Sequence, residues 1–195
     1  MTASIWLIRH GETSWAQAGR HTGRTDIELT EAGEANARSL VGRIPVDAGL
    51  VLCSPLERAR RTAELAGLVP DALDPDLVEW DYGAWEGLTT AEIRQRVGDS
   101  EWTVWSEPIP SGETPGEQPD DVAARVGRVI ERCTPVLAQG RDCVLVGHGH
   151  ALRILTAVWL GLPATAGRLF ELQPAALSRL GFEHQTHVIS EWNAR

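Results

Sequence analysis

Two short segments place reactive side chains directly after apolar runs. Arg9-His10-Gly11-Glu12 follows Ser4-Ile5-Trp6-Leu7-Ile8, and His148-Gly149-His150 follows Cys143-Val144-Leu145-Val146-Gly147. A neutral imidazole nitrogen can attack phosphorus and carry the phosphoryl group covalently. A guanidinium offers a rigid fork of donors that matches phosphate oxygens. A third segment, Leu52-Cys53-Ser54-Pro55-Leu56-Glu57-Arg58-Ala59-Arg60-Arg61-Thr62, opens a helix with arginines. Cations in a first helical turn oppose the helix dipole, so a bound anion is the simplest reason to place them there. The residue types together suit phosphoryl transfer through histidine. For either histidine alone, a surface ion pair at Arg9 or a turn cap at His10 would be the plainer reading. Two strand ends that each deliver a glycine-flanked histidine are hard to explain as packing.

The apolar runs are short, continuous and rich in β-branched residues, which marks them as buried strands. Open α/β sheets keep their ligand sites at the carboxyl ends of such strands. The pattern predicts strands near 4–8, 50–53 and 143–147, then two more at 177–182 and 187–192. Helices are expected from Thr30, as N-cap, to about residue 42, over 55–67 and over 89–97. Val122, Val126, Val129, Ile130, Cys133 and Leu137 fall at helical spacing, with Pro135 kinking or ending that helix. Ala151 to Leu160 is apolar almost all round, hence buried. Residues 11–29 read as a long loop and 69–87 as irregular, with Leu77 to Glu79 extended. Residues 98–120, with four prolines and two tryptophans, read as an insertion over the site rather than core.

The chain resembles the histidine phosphatase superfamily, the phosphoglycerate-mutase-like group (branch 1), and within it the broad acid and sugar-phosphate phosphatases. The matching segments are Arg9-His10-Gly11-Glu12-Thr13, Thr22-Gly23-Arg24-Thr25-Asp26 with Leu29-Thr30, and Ser54-Pro55-Leu56-Glu57-Arg58-Ala59 with Thr62-Ala63. They continue in family order through Leu77-Val78-Glu79, Gly83-Ala84-Trp85-Glu86-Gly87 and Val146-Gly147-His148-Gly149. The resemblance implies a three-layer α/β/α sandwich, its sheet mostly parallel with an antiparallel edge, in one domain over 1–195. It implies a phosphomonoester hydrolase that needs no cofactor and no metal.

Residue by residue, the resemblance makes His10 the nucleophile and assigns Arg9, Arg58 and His148 to the clamp on the phosphoryl oxygens. Glu79 becomes the proton donor to the leaving alkoxide, with Trp80 and Tyr82 as apolar walls that would raise its pKa. Asp81 and Glu86 compete for that role. Substrate binding falls to Arg20, Thr22, Gly23 and Gly149, the last opening a helix whose backbone N–H groups suit an anion. Arg24 and Asp26 read as a loop ion pair, and Arg61 as a surface residue. One departure stands out. Many family members carry a phosphate-binding asparagine six residues after the nucleophile, where this chain has Ala16.

Composition narrows the remaining classes. At 195 residues the chain is long enough for one α/β domain with a sizeable core. All 18 basic residues are arginines, so lysine Schiff-base chemistry is ruled out. A net charge of −9 argues against general nucleic-acid binding, which needs an extended basic footprint. No stretch is long and apolar enough to span a bilayer. Cys53, Cys133 and Cys143 read as free buried thiols, so a cytoplasmic enzyme is expected. The expected partner is a small phosphorylated metabolite, and a homodimer is an option left open.

Three other readings fit less well. A metal hydrolase on His148 and His150 lacks accompanying carboxylates or cysteines, and a non-catalytic phospho-ligand module would not need His10, Glu79 and His148 together. A mutase needs a second phosphate site, yet Leu88 to Asp120 carries only Arg94 and Arg96 as cations, so hydrolysis is favoured. His184 and His187 read as solvated hairpin residues, and residues 111–119 as a segment that could dock a partner.

Overall fold

The computed structural model describes residues 3–45 and 47–194. Its centre is a six-stranded sheet of β1 (Ile5–Arg9), β2 (Leu50–Cys53), β3 (Ala72–Leu73), β4 (Cys143–Gly147), β5 (Leu177–Glu183) and β6 (Thr186–Ala194), in the order β3-β2-β4-β1-β5-β6. The first four strands in that order run parallel, and β5 and β6 add an antiparallel edge. The expected fold class is therefore observed.

Side-chain alternation along the strands builds the outer layers, because successive residues face opposite sides of a sheet. Ile5, Leu7, Leu52, Cys143 and Leu145 pack on one face with Val122, Val126, Val129, Leu152 and Leu155. Those partners come from α5 (Pro119–Ala138) and α6 (Gly149–Trp159), introduced here with the other helices, α1 (Ser14–Gln17), α2 (Glu31–Arg38), α3 (Glu57–Leu65) and α4 (Thr90–Val97). Ile8, Val51, Cys53, Val144 and Val146 face the other way, onto Leu40, Ala59 and Ala63 beside α2 and on α3. Both faces of β1, β2 and β4 are covered, which is why these strands are continuously apolar.

Local chemistry sets the helix ends. Thr30 caps α2 by accepting from the Gly33 amide at 3.0 Å. Thr89 and Glu92 form a reciprocal capping box on α4. Several expectations need correction. The loop after β1 contains α1, capped by Thr13, a single turn too short to show a periodic pattern. Helix α2 ends at Arg38 rather than near 42. Helix α5 runs through Pro135; that position is exposed, so the carbonyl it leaves unpaired is open to water. Pro75–Leu77 forms a 3-10 turn, and only at Val78 does the chain become extended. Residues 98–118 are irregular, yet Trp102, Val104 and Ile109 lie buried in the main core. His184 and His187 are exposed, as expected, and the His187 ring also stacks on Trp159 at 3.9 Å and donates from Nδ1 to its carbonyl. Cys53, Cys133 and Cys143 are free and buried.

Candidate active site

Strands β1 and β4 are adjacent and parallel, with Arg9 opposite Gly147. The next residue on each is a histidine, so the sheet brings His10 and His148 together with ring centroids 5.1 Å apart. The His10 amide donates to the Gly147 carbonyl at 2.9 Å, which extends the ladder one residue past the strand. His10 Nδ1 donates to the Gly11 carbonyl at 2.7 Å. Burial, reinforced by the charges of Arg58 and Arg9, holds its pKa well below the usual imidazole value. The ring is therefore neutral, with its proton on Nδ1 and a lone pair on Nε2.

A cavity of about 370 Å³ opens over these strand ends. Arg9, His10, Arg20, Thr22, Glu79 and Gly149 all line it. Gly149 opens α6, and a Cβ there would lie 3.3 Å from the Arg9 guanidinium carbon, so glycine keeps this approach open. Arg20 lines the rim, where its Nη1 donates to the Gly87 carbonyl. Thr22 turns its hydroxyl to the Arg20 carbonyl at 3.1 Å.

Arg58 and His148 sit behind the cavity wall, both without exposed surface. The Arg58 guanidinium donates to the carbonyls of Thr22, Gly23 and Thr25 and from Nε to His148 Nδ1 at 3.2 Å. It is the buckle that fixes the 22–25 loop. Gly23 does not offer its amide to the cavity, because that N–H donates to both Glu86 oxygens at 2.9 and 3.0 Å. Arg24 and Asp26 do not pair. The loop crosses the strand ends, so Arg24 faces Glu117 at 3.5 Å while Asp26 accepts from the Glu57 amide and approaches Arg58 at 3.6 Å.

The Glu79 carboxylate is not enclosed by apolar walls. It sits on the N-terminus of α6 and accepts from the amides of His150 at 3.1 Å and Ala151 at 2.9 Å, besides that of Trp80. Two of the amides expected to meet an anion are thus taken by Glu79. The backbone that carries Glu79 is anchored by Arg125, which is buried and donates to the carbonyls of Asp76, Val78 and Glu79. Asp81 is occupied elsewhere, by Thr114 and the Gly83 amide, and Glu86 by the 22–25 loop.

Four features escaped the sequence reading. Ser54 Oγ lies 2.7 Å from His148 Nε2. His21 and His150 join Tyr82 in one wall of the cavity, and Arg153, with its guanidinium over the Trp105 ring, forms another. Arg125 had a signal, being a charge on the otherwise apolar stripe of α5. The others had none. Ala16 lines the cavity with a methyl group and offers no donor. His148 and His150 engage different neighbours, Arg58 with Ser54 and Tyr82 respectively.

A family model described as histidine phosphatase superfamily (branch 1) matches residues 5–195. The chain belongs to that family. Among curated relatives of this histidine phosphatase is an acid phosphatase of Mycobacterium tuberculosis (strain ATCC 25618 / H37Rv). It is 39% identical over 183 residues, which covers 92% of this chain and 87% of the relative. A protein called "Probable phosphoglycerate mutase GpmB" from Photorhabdus laumondii is 36% identical, covering 96% and 89%. The solved structure of the open reading frame Rv3214 from Mycobacterium tuberculosis superposes with a TM-score of 0.90 at 36% identity, covering 100% of this chain and 98% of that one. The chain is thus a phosphatase-family enzyme, and no helix among its described residues is long and apolar enough to cross a membrane.

Proposed function

We propose that this histidine phosphatase hydrolyses small phosphomonoesters through a phosphohistidine on His10, without a metal ion. The observation that carries the reading is the state of His10. Its Nδ1 is committed to Gly11, so the lone pair on Nε2 is the atom left for the cavity. In the first step Nε2 attacks phosphorus and the ester P–O bond breaks. The Glu79 carboxyl, in its protonated form, passes a proton to the departing alkoxide. In the second step the Glu79 carboxylate takes a proton from water, whose oxygen attacks phosphorus and breaks the N–P bond. Phosphate leaves and His10 is regenerated. Arg9 lines the cavity and meets the charge on the equatorial oxygens, the principal demand of phosphoryl transfer. Arg58 and His148 act from behind, holding the 22–25 loop and the strand ends.

Hydrolysis is favoured over mutase chemistry because neither arginine of the Leu88–Asp120 segment reaches the cavity. Arg9, Arg20 and Arg153 line it, whereas Arg94 donates to the Trp102 carbonyl and neither it nor Arg96 lines the cavity. The test is phosphate release from a panel of phosphorylated sugars, glycerates and nucleotides in EDTA, with His10→Ala beside the unaltered protein. A phosphoenzyme trapped by rapid quench, absent in His10→Ala, is the expected result. Phosphoryl exchange between hydroxyls without phosphate release would replace hydrolysis by the mutase reading.

A further inference from the structure

We infer that His150 is a specificity-determining residue, presenting an uncharged Nε2–H donor to a hydroxyl oxygen of the substrate's organic group; this rests on the phosphatase reading above. The argument starts from Tyr82. Its ring is buried and its hydroxyl lies 2.6 Å from His150 Nδ1. A buried phenol must place its proton on a partner, and His150 Nδ1 is the one acceptor within reach among the described residues. Nδ1 therefore accepts, and in a neutral imidazole the ring proton then resides on Nε2. That atom has no protein partner among the described residues, while the ring lines the cavity. Burial, with the charge of Arg153 next, keeps the ring neutral.

The ring is also held in place. Trp105 packs against it at 5.1 Å, Tyr82 at 5.9 Å, Trp80 at 6.0 Å and His21 at 6.4 Å between centroids. Its backbone N–H is tied to Glu79. A donor fixed on this many sides costs little to order when substrate arrives. An uncharged N–H among aromatic rings, with the Arg153 guanidinium beyond Trp105, suits an oxygen acceptor on a carbon chain. The ligand class is thus a phosphate ester of a hydroxylated alkyl group, such as a polyol or sugar. A site built to hydrogen-bond a substrate hydroxyl discriminates against the analogue that lacks it.

The experiment compares two esters with similar leaving groups, glycerol 1-phosphate and propyl phosphate, which differ in hydroxyl acceptors. The quantity read is the ratio of their kcat/KM values. The unaltered protein is expected to favour glycerol phosphate. In His150→Phe the ratio falls by about tenfold or more, the loss of one hydrogen bond. In His150→Gln, which restores an N–H donor, it recovers toward the starting value. His150→Ala supplies the ratio if the phenyl ring prevents folding. A ratio unchanged in these variants, with both esters slowed equally, overturns the inference and leaves the phosphatase reading standing. No phosphate release from either ester, nor from p-nitrophenyl phosphate, by the unaltered protein overturns both.

Discussion

Arg58 Nε donates to Nδ1 of His148 at 3.2 Å, with neither side chain exposed to solvent. The bond makes Nδ1 an acceptor, which places the His148 proton on Nε2, 2.7 Å from Ser54 Oγ. One guanidinium thereby fixes both the tautomer of a strand-end histidine and the path of the 22–25 loop. Arg58→Lys keeps the charge but loses the fork. The expected result is a fall in kcat/KM of about 10², the cost of misplacing reacting groups by a change away from them. A loss of about 1–3 kcal/mol in stability should accompany it from carbonyls left unpaired. Steady-state kinetics with a urea melt on the same sample checks both.

The position of Glu79 on the α6 amides makes a second prediction. A proton donor matters most when the leaving group is a poor one. Glu79→Gln keeps the shape and, through its carbonyl oxygen, the contacts from the Trp80 and Ala151 amides, giving up the one from the His150 amide. It should slow alkyl phosphates by about 10²–10⁴ and p-nitrophenyl phosphate by much less. Equal loss on both substrates would remove Glu79 from the proton-transfer role.

Gly23 tests the loop. A Cβ at this residue would lie 2.4 Å from the Trp80 carbonyl oxygen and 2.7 Å from Glu86 Oε2. Backbone on one side cannot yield as a flexible side chain can. Gly23→Ala should cost about 1–3 kcal/mol, the usual cost of overpacking. That corresponds to roughly 2–4 °C in Tm per kcal/mol for a chain of this size. Activity should fall in the same variant, since the Arg58 contacts to this loop move with it.

Acid affects function and stability in different ways. Burial holds the pKa values of His10, His148 and His150 well below 6.5 in the fold. The proposed nucleophile, His10, thus stays unprotonated in mild acid, and the acid limb of kcat/KM should lie well below pH 6.5. In the unfolded chain the same imidazoles take up protons near 6.5. The unfolded state then binds more protons, so stability falls as pH drops from about 6.5 toward the depressed native values. Each histidine contributes about 1.4 kcal/mol per pH unit in that window. Urea melts between pH 5 and 7 should show the slope, and His150→Phe should flatten it by about one histidine's share.

Much of this architecture was legible because its signals are local. β1, β2 and β4 are continuous apolar runs, and each ends at a residue of chemical interest. The α5 stripe from Val122 to Leu137 is periodic over about four turns. Where the signal depended on tertiary neighbours, it failed. Trp102, Val104 and Ile109 enter the core one at a time from a proline-rich segment, with no period to mark them. The surroundings of Glu79 are set by a helix that begins seventy residues later. Tyr82 and His150 look unrelated in sequence, and only the crossover of the chain brings them within one hydrogen bond.

The ladder between β1 and β4 joins residues far apart in the chain; the Ser4 amide meets the Asp142 carboxylate across 138 positions. His10, Arg58 and Glu79 come from the half before the exposed turn at Gly98–Glu101, and His148 and His150 from the half after it. The proposed catalysis is thus a property of the union of two halves and of neither alone. A cut at that turn divides the enzyme into two silent fragments, and recovered turnover on mixing them would report their reunion.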